Sequence, residues 1–311
     1  MRRLNEGAHA QILAAPDLAE ATRLTVSAET ASAYFALAAT DEETRIVAST
    51  LKLQTEMLSL VEARRDAGRA SDLTVEQARL AVSISEADAA AVANRRSALK
   101  NGLAILVWRP APAFELGELH QLDATLPPIP VGLPSELLTR RPDVAAAEDS
   151  LRAANARIGV AKAAFFPAIS LTGSAGNASA AIDDLFLKDS RGWAISPSIY
   201  LPLFQGGRNQ ANYQRGQAAY EEAVAGYRQN ILTALREVQD TLTASQRLSE
   251  QSAATARAVT SARKVAELAK ERYLAGGTSY LEVIDAQRTA LSVERGAAAL
   301  AGQRLITRVA L

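Results

Sequence analysis

The sequence predicts a mainly α-helical protein with a small β part: long helical hairpins that form coiled coils, one β-hairpin, and an internal duplication. Alanine supplies 65 of the 311 residues, while Phe, Trp and Tyr together make up 5%. Ala has the best helix propensity and lets helices approach closely, whereas large aromatics fill globular cores. No proline stands between Pro16 and Pro110 or after Pro202, so two long arms are free of the strongest helix breaker.

Composition also excludes several functions. Lys plus Arg (34) balances Asp plus Glu (34), so there is no basic field to attract nucleic acid, which is not an expected partner. Cysteine is absent, which removes disulfides and thiol chemistry. No run of 18 apolar residues occurs, which excludes a transmembrane helix but leaves a β-barrel route open. Met1-Arg2-Arg3-Leu4-Asn5-Glu6 has charge without an apolar stretch behind it and is not a secretory signal. Either the protein stays in the cytoplasm or the chain lacks its beginning.

In the first arm, residues 1–109, Val75, Ala78, Val82, Ser85, Ala89, Val92, Arg96, Leu99, Leu103 and Leu106 follow the alternating three-four spacing of a coiled-coil seam, with Ser85 and Arg96 as its breaks. Residues 110–134 hold six prolines and read as an extended connector. Residues 135–168 are expected to carry a helix that opens at Thr139-Arg140-Arg141-Pro142-Asp143, with Pro at a favourable early position. In the second arm, residues 205–311, Ile231, Leu235, Val238 and Leu242 repeat the seam spacing, and Ile284, Leu291, Ala298 and Leu305 recur every seventh residue. If residues 209–274 are one helix, it is about 100 Å long.

Each arm is broken once, at Asp66-Ala67-Gly68-Arg69-Ala70-Ser71 and at Leu274-Ala275-Gly276-Gly277-Thr278-Ser279. Gly suits a helix C-terminus and Ser or Thr an N-cap, so both arms are helical hairpins. A shift of 208 superposes them: Arg64 on Arg272, Ala67 on Ala275, Gly68 on Gly276, Ser71 on Ser279, Leu73 on Leu281, Val75 on Val283 and Ala78 on Ala286. This indicates an internal duplication. The second arm is preceded by a helix and two strand-like segments, so the first copy's counterparts are expected upstream of Met1.

Those segments, within residues 169–204, alternate with period two. Ile169 and Leu171 alternate with hydroxyls, and Trp193, Ile195, Ile199 and Leu201 share a face opposite Ser196 and Ser198. Their length suits tilted membrane strands of roughly 9–11 residues, with Phe165, Phe166, Trp193, Tyr200 and Phe204 near the ends as an interfacial girdle. Alternation alone fits a soluble hairpin on helices equally well, and two strands close no barrel by themselves.

Leu133-Pro134-Ser135-Glu136-Leu137-Leu138-Thr139-Arg140-Arg141-Pro142-Asp143-Val144 and the run from Ala153-Ala154-Asn155 through Phe165-Phe166-Pro167-Ala168-Ile169-Ser170-Leu171 resemble the outer-membrane factor family, the TolC/OprM-like exit ducts of tripartite efflux pumps. So do Leu201-Pro202-Leu203-Phe204, Gly206-Gly207-Arg208, and Tyr273 through Arg288. The resemblance covers nearly the whole chain and lies closest to the lipoprotein branch that works with RND-type pumps. It implies a homotrimer in which four strands per subunit form a twelve-stranded barrel in outer-membrane lipid and the helices a periplasmic tunnel. The implied partners are a periplasmic adaptor (membrane fusion) protein and an inner-membrane RND pump. The family's lipid-anchoring cysteine and signal peptide are not in this sequence, which fits an N-terminal truncation.

The resemblance also assigns residues. Glu282 and Asp285, three apart on one helix face, fall on the pore aperture, where a trimer would make them rings of negative charge that favour cations. Taken alone, they read more readily as solvated carboxylates in a helix's first turn, stabilised by its dipole; with the resemblance, the aperture is the favoured assignment, more for Asp285 than for Glu282. Tyr273 matches a gate-stabilising position, with Asp72 and Thr74 as its first-repeat candidates. Gly68, Arg69, Ser71, Gly276, Gly277, Thr278 and Ser279 form the periplasmic tip turns, which face an adaptor or water. His9 and His120 stand far apart and no phosphate loop occurs, so no catalytic residue, metal or cofactor is expected. The expected function is a passive duct for small molecules such as drugs. The alternatives are a duct for type I protein secretion and a soluble coiled-coil scaffold or periplasmic adaptor.

Overall fold

The computed structural model describes residues 1–119 and 140–311. Five helices and a two-stranded sheet make up the described residues: α1 (Arg2–Asp66), α2 (Asp72–Leu106), α3 (Pro142–Ala163), β1 (Ala168–Asn177), β2 (Arg191–Tyr200), α4 (Arg208–Leu274) and α5 (Tyr280–Val309). The expected connector at 110–134 opens with a 3-10 turn, Ala111–Ala113. Its remaining prolines, His120 and the stretch Leu133–Thr139 lie outside the described residues.

Applied to whole elements, the duplication keeps its register. A shift of 208 carries the end of α1, Asp66, onto the end of α4, Leu274, and the start of α2, Asp72, onto the start of α5, Tyr280. Pro16 lies inside α1. The helix therefore continues through a residue that lacks the donor for one backbone bond, within a run long enough to hold the break.

One compact unit comprises residues 1–21 and 140–234 among those described. Its core is largely alanine: Ala10, Ala14, Ala146, Ala153, Ala154 and Ala156 are buried with Val144. Small side chains set the helix spacing there, since a Cβ on Gly7 would meet the Ala156 Cβ at 3.4 Å and one on Gly159 would meet Arg3 Cγ at 2.8 Å. The start of α3 is fixed locally. Arg141 grips Asp143 with two bonds, Nε to Oδ1 at 3.0 Å and Nη2 to Oδ2 at 2.7 Å, and Asp143 Oδ1 also accepts the Val144 N–H at 3.0 Å. The Arg141 guanidinium holds the Asp143 carboxyl below the usual carboxylate range, and Pro142 occupies the first turn, where no N–H is needed.

The sheet in this unit is antiparallel, with Ile169 opposite Ile199, Leu171 opposite Pro197 and Ala175 opposite Trp193. This register gathers Ile169, Leu171, Trp193, Ile195 and Ile199 on one face, while Ser170 and Ser198 bond across the other at 2.7 Å. The strand expected to include Leu201 ends one residue earlier, at Tyr200. There the ladder reaches Ala168, which directly follows Pro167, a residue without a ladder donor.

The second unit comprises residues 22–119 and 235–311 among those described. The α2 seam faces α1, and its two breaks are filled by polar pairs. Ser85, 1% exposed, donates to Gln54 Oε1 at 2.6 Å, and Arg96 reaches Asp41. Helix α5 packs through Ile284, Leu291, Ala298 and Leu305, all buried as their seven-residue period implies. Arg295 ties it to both neighbours, with Nε on Glu43 at 2.8 Å and Nη1 on Asp88 at 3.3 Å. Of the expected α4 seam, Leu235 and Leu242 are exposed. The period is present there, with Ile231 and Val238 half-buried, but no helix among the described residues covers Leu235 and Leu242.

Candidate functional site

Both hairpin tips are built by the same turn. In the first, Gly68 N–H donates to Arg65 O at 2.8 Å and Arg69 N–H to Arg64 O at 2.7 Å; in the second, Gly276 N–H donates to Tyr273 O at 3.0 Å and Gly277 N–H to Arg272 O at 2.8 Å. This paired bonding is the Schellman helix stop, which needs a left-handed residue at its penultimate position. Gly68 and Gly276 supply it with φ of 71° and 78°. The return helices start differently. Ser71 caps α2 by accepting the Thr74 N–H at 3.3 Å, while Ser279 occupies the α5 cap without a side-chain bond.

Between the tips lies an apolar cluster of Met57, Val61, Val75, Ala78, Tyr273, Tyr280, Val283 and Ile284. Tyr273 and Tyr280 pack with ring centroids 5.2 Å apart. Arg64, from α1, lies over the Tyr273 ring at 4.9 Å and donates to the last carbonyls of α4, Tyr273 O at 3.3 Å and Leu274 O at 2.9 Å. Leu274 O is one of the carbonyls a helix end leaves open, Tyr273 O takes Arg64 beside the Gly276 N–H, and a cation there also meets the negative end of the helix dipole. The Tyr280 hydroxyl is buried without a hydrogen-bond partner among the described residues, and burial pushes it up to about 12.

The expected site residues divide into three groups. Glu282 and Asp285 are both exposed near the start of α5, and among the described residues neither enters an ion pair. Asp285 lines a groove of about 540 Å³ between α2 and α5, with Leu80, Ile84, Asp88, Leu281 and Arg288. Tyr273 belongs to the buried cluster, whereas Asp72 is exposed and the Thr74 hydroxyl lies 3.0 Å from Ser71 Oγ. Among the described residues no hydrogen bond joins Tyr273 to either of them. Arg69, Gly276, Gly277 and Ser279 are exposed. Thr278 is half-buried, and its hydroxyl has no hydrogen-bond partner among the described residues.

No helix among the described residues is long and apolar enough to cross a membrane. The β-hairpin has the opposite character. Among the described residues each strand has one unpaired edge, and Ile169, Leu171, Trp193, Ile195 and Ile199 are exposed on one face. Contiguous apolar area of this kind marks a surface that another phase or protein covers.

Residues 133–311, more than half of the chain, match the protein family described as Outer membrane efflux protein. The chain belongs to the outer membrane efflux protein family. It is 38% identical over 290 residues to the outer membrane protein OprJ of Pseudomonas aeruginosa, an alignment covering 93% of this chain and 60% of OprJ. The cation efflux system protein CusC of Escherichia coli is 31% identical over 311 residues, covering 100% of this chain and 68% of CusC. A crystal structure of a membrane protein from Pseudomonas aeruginosa superposes with a TM-score of 0.93 at 37% identity, covering 100% of this chain and 72% of that one. The chain thus spans less than two thirds of the length of OprJ. The mainly helical fold with its antiparallel hairpin matches the corresponding part of these solved structures.

Sequence reading did not single out Arg64 or Tyr280, which the structure places in the contacts at the hairpin tips. Arg64 carries a signal, because it is identical to Arg272 across the duplication although nothing in a solvated turn requires it. Tyr280 has none, since its repeat counterpart is Asp72 and only the folded hairpins show it buried.

Proposed function

We propose that this protein is the outer-membrane exit duct of a tripartite efflux pump in a Gram-negative bacterium, a passive conduit for small molecules from periplasm to exterior. The observation that carries this reading is the β-hairpin: an exposed apolar face on a sheet with two unpaired edges, in a chain whose family is defined by outer-membrane efflux. A bilayer satisfies the apolar face, and strands from further copies satisfy the edges, since lipid tolerates no open sheet edge. The assembly is a homotrimer. Its long helices form the periplasmic tunnel, their hairpin tips meet a periplasmic adaptor protein, and an inner-membrane RND pump supplies the energy.

In this reading Glu282 and Asp285 ring the lower aperture, and Tyr273, Asp72 and Thr74 contribute to holding it closed. Two exposed carboxylates per subunit, free of ion pairs within the described residues, are open to a passing ion. Planar-bilayer recording tests the proposal. Cation-preferring channels in a strain's outer-membrane extract, absent from a strain without the gene, are the expected result. Recovery of the protein in the soluble periplasmic fraction without channel activity would refute it.

A further inference from the structure

The duplication makes the two tips geometrically equivalent, yet within one chain only one of two equivalent contacts is made. Arg64 leaves its own hairpin and binds the end of α4 through Tyr273 O and Leu274 O. Its counterpart Arg272 is exposed and, among the described residues, reaches only Gly277 O of its own turn, at 3.5 Å, the outer limit of a hydrogen bond. The apolar partners show the same imbalance. Met57 is 2% exposed in the tip cluster, while Val265, its counterpart 208 residues on, is 56% exposed. The carbonyls equivalent to Tyr273 O and Leu274 O are Arg65 O and Asp66 O, presented by the same Schellman turn. Arg65 itself is neutralised locally, with Nη2 on Asp66 Oδ1 at 2.7 Å, so an incoming guanidinium does not meet a bare positive charge.

We propose that Arg272 and Val265 form the contact between copies: Arg272 donates to Arg65 O and Asp66 O of a second copy of this chain, whose tip covers Val265. The inference rests on the trimeric reading above and adds to it the residues that join one subunit's second hairpin to the next subunit's first. In such a ring the two hairpin types alternate, and every junction is an Arg of one α-helix reaching the C-terminal carbonyls of the next. The junctions are not equal. Arg64 stacks on Tyr273, but the corresponding residue for Arg272 is Arg65, which offers no aromatic face. The junction between copies is therefore the weaker one, and the hairpins separate there first.

Cross-linking tests this, because the chain has no native thiol. Arg272→Cys with Asp66→Cys, and separately Arg64→Cys with Leu274→Cys, are introduced into the native gene and expressed from it. Each is extracted in detergent, its native mass measured, and treated with a short bismaleimide. In assembled material the first pair is expected to give covalent dimers and trimers on a denaturing gel, and the second pair only a cross-linked monomer. An assembled trimer in which the first pair remains monomeric overturns the Arg272 contact and leaves the channel reading intact. Monomers by native mass from every form overturn both.

Discussion

Arg96 Nε donates to Asp41 Oδ1 at 2.5 Å across α1 and α2, and Asp41 Oδ2 accepts the Leu119 N–H at 2.8 Å. An arginine that interrupts a coiled-coil seam thus has a dedicated partner, and that partner also anchors the segment leaving α2. Asp41 is 2% exposed. Asp41→Ala leaves the half-buried Arg96 guanidinium with Gly117 O but no counter-charge and strands the Leu119 amide, and it is expected to destabilise the chain by about 3 kcal/mol. Replacing both, with Asp41→Leu and Arg96→Met, is expected to cost less than the single change. Denaturant midpoints of the three variants measure the difference.

Two glycines of α5 predict opposite signs. A Cβ on Gly302 would lie 2.6 Å from the Ala39 Cβ, a rigid methyl on α1, whereas one on Gly296 meets nothing within 4 Å. Gly302→Ala should therefore destabilise by about 1–3 kcal/mol through overpacking. Gly296→Ala should stabilise by about 0.5–1 kcal/mol through helix propensity. Thermal unfolding of the two variants separates them.

The third helix stop breaks the pattern of the hairpin tips. Trp108 N–H donates to Ile105 O and Arg109 N–H to Ala104 O, the same paired bonding, but Trp108 holds φ of 57° where the tips use glycine. Its side chain is 95% exposed, so little packing offsets the left-handed backbone. Trp108→Gly is expected to raise stability by about 1 kcal/mol. An unchanged or lower midpoint would mean that the indole makes a contact in solution.

Tyr280 links stability to pH. Its buried hydroxyl titrates near 12, against about 10 in an unfolded chain. The folded state thus holds the proton more tightly than the unfolded one. The contribution is complete below pH 10 and is lost as pH rises from 10 to 12. Tyr280→Phe removes that slope and also the unpartnered hydroxyl, so its stability at neutral pH should equal or exceed that of the parent. A clear loss at pH 7 would reveal a hydrogen-bond partner for Tyr280.

The aperture assignment predicts an electrical change. Asp285→Ala with Glu282→Ala should weaken the cation preference of the closed channel and its block by multivalent cations. Ion selectivity in asymmetric salt measures this, and unchanged selectivity would sink the assignment.

Much of the fold was legible because it is periodic. The break points at Gly68 and Gly276, the buried Ile284–Leu305 heptad and the alternation of Ile169 and Leu171 are local patterns, and the duplication checks one against another. Leu235 and Leu242 show the limit: spacing reveals an apolar stripe but not whether the same chain covers it. The same limit hid the Thr278 hydroxyl, which turn chemistry would place in water, and the partnership of Arg64 with Tyr273. That pairing depends on two helices meeting 209 residues apart in sequence. Ser85 and Arg96 were visible only as defects, because Gln54 and Asp41, which complete them, lie in another helix.

The trimeric outer-membrane channel proposed for this chain is tested most directly by the native mass of the protein extracted in detergent from the outer membrane of the cells that naturally make it. A three-copy assembly in the outer-membrane fraction is the expected result. A monomer, or recovery as a soluble periplasmic protein, would contradict it.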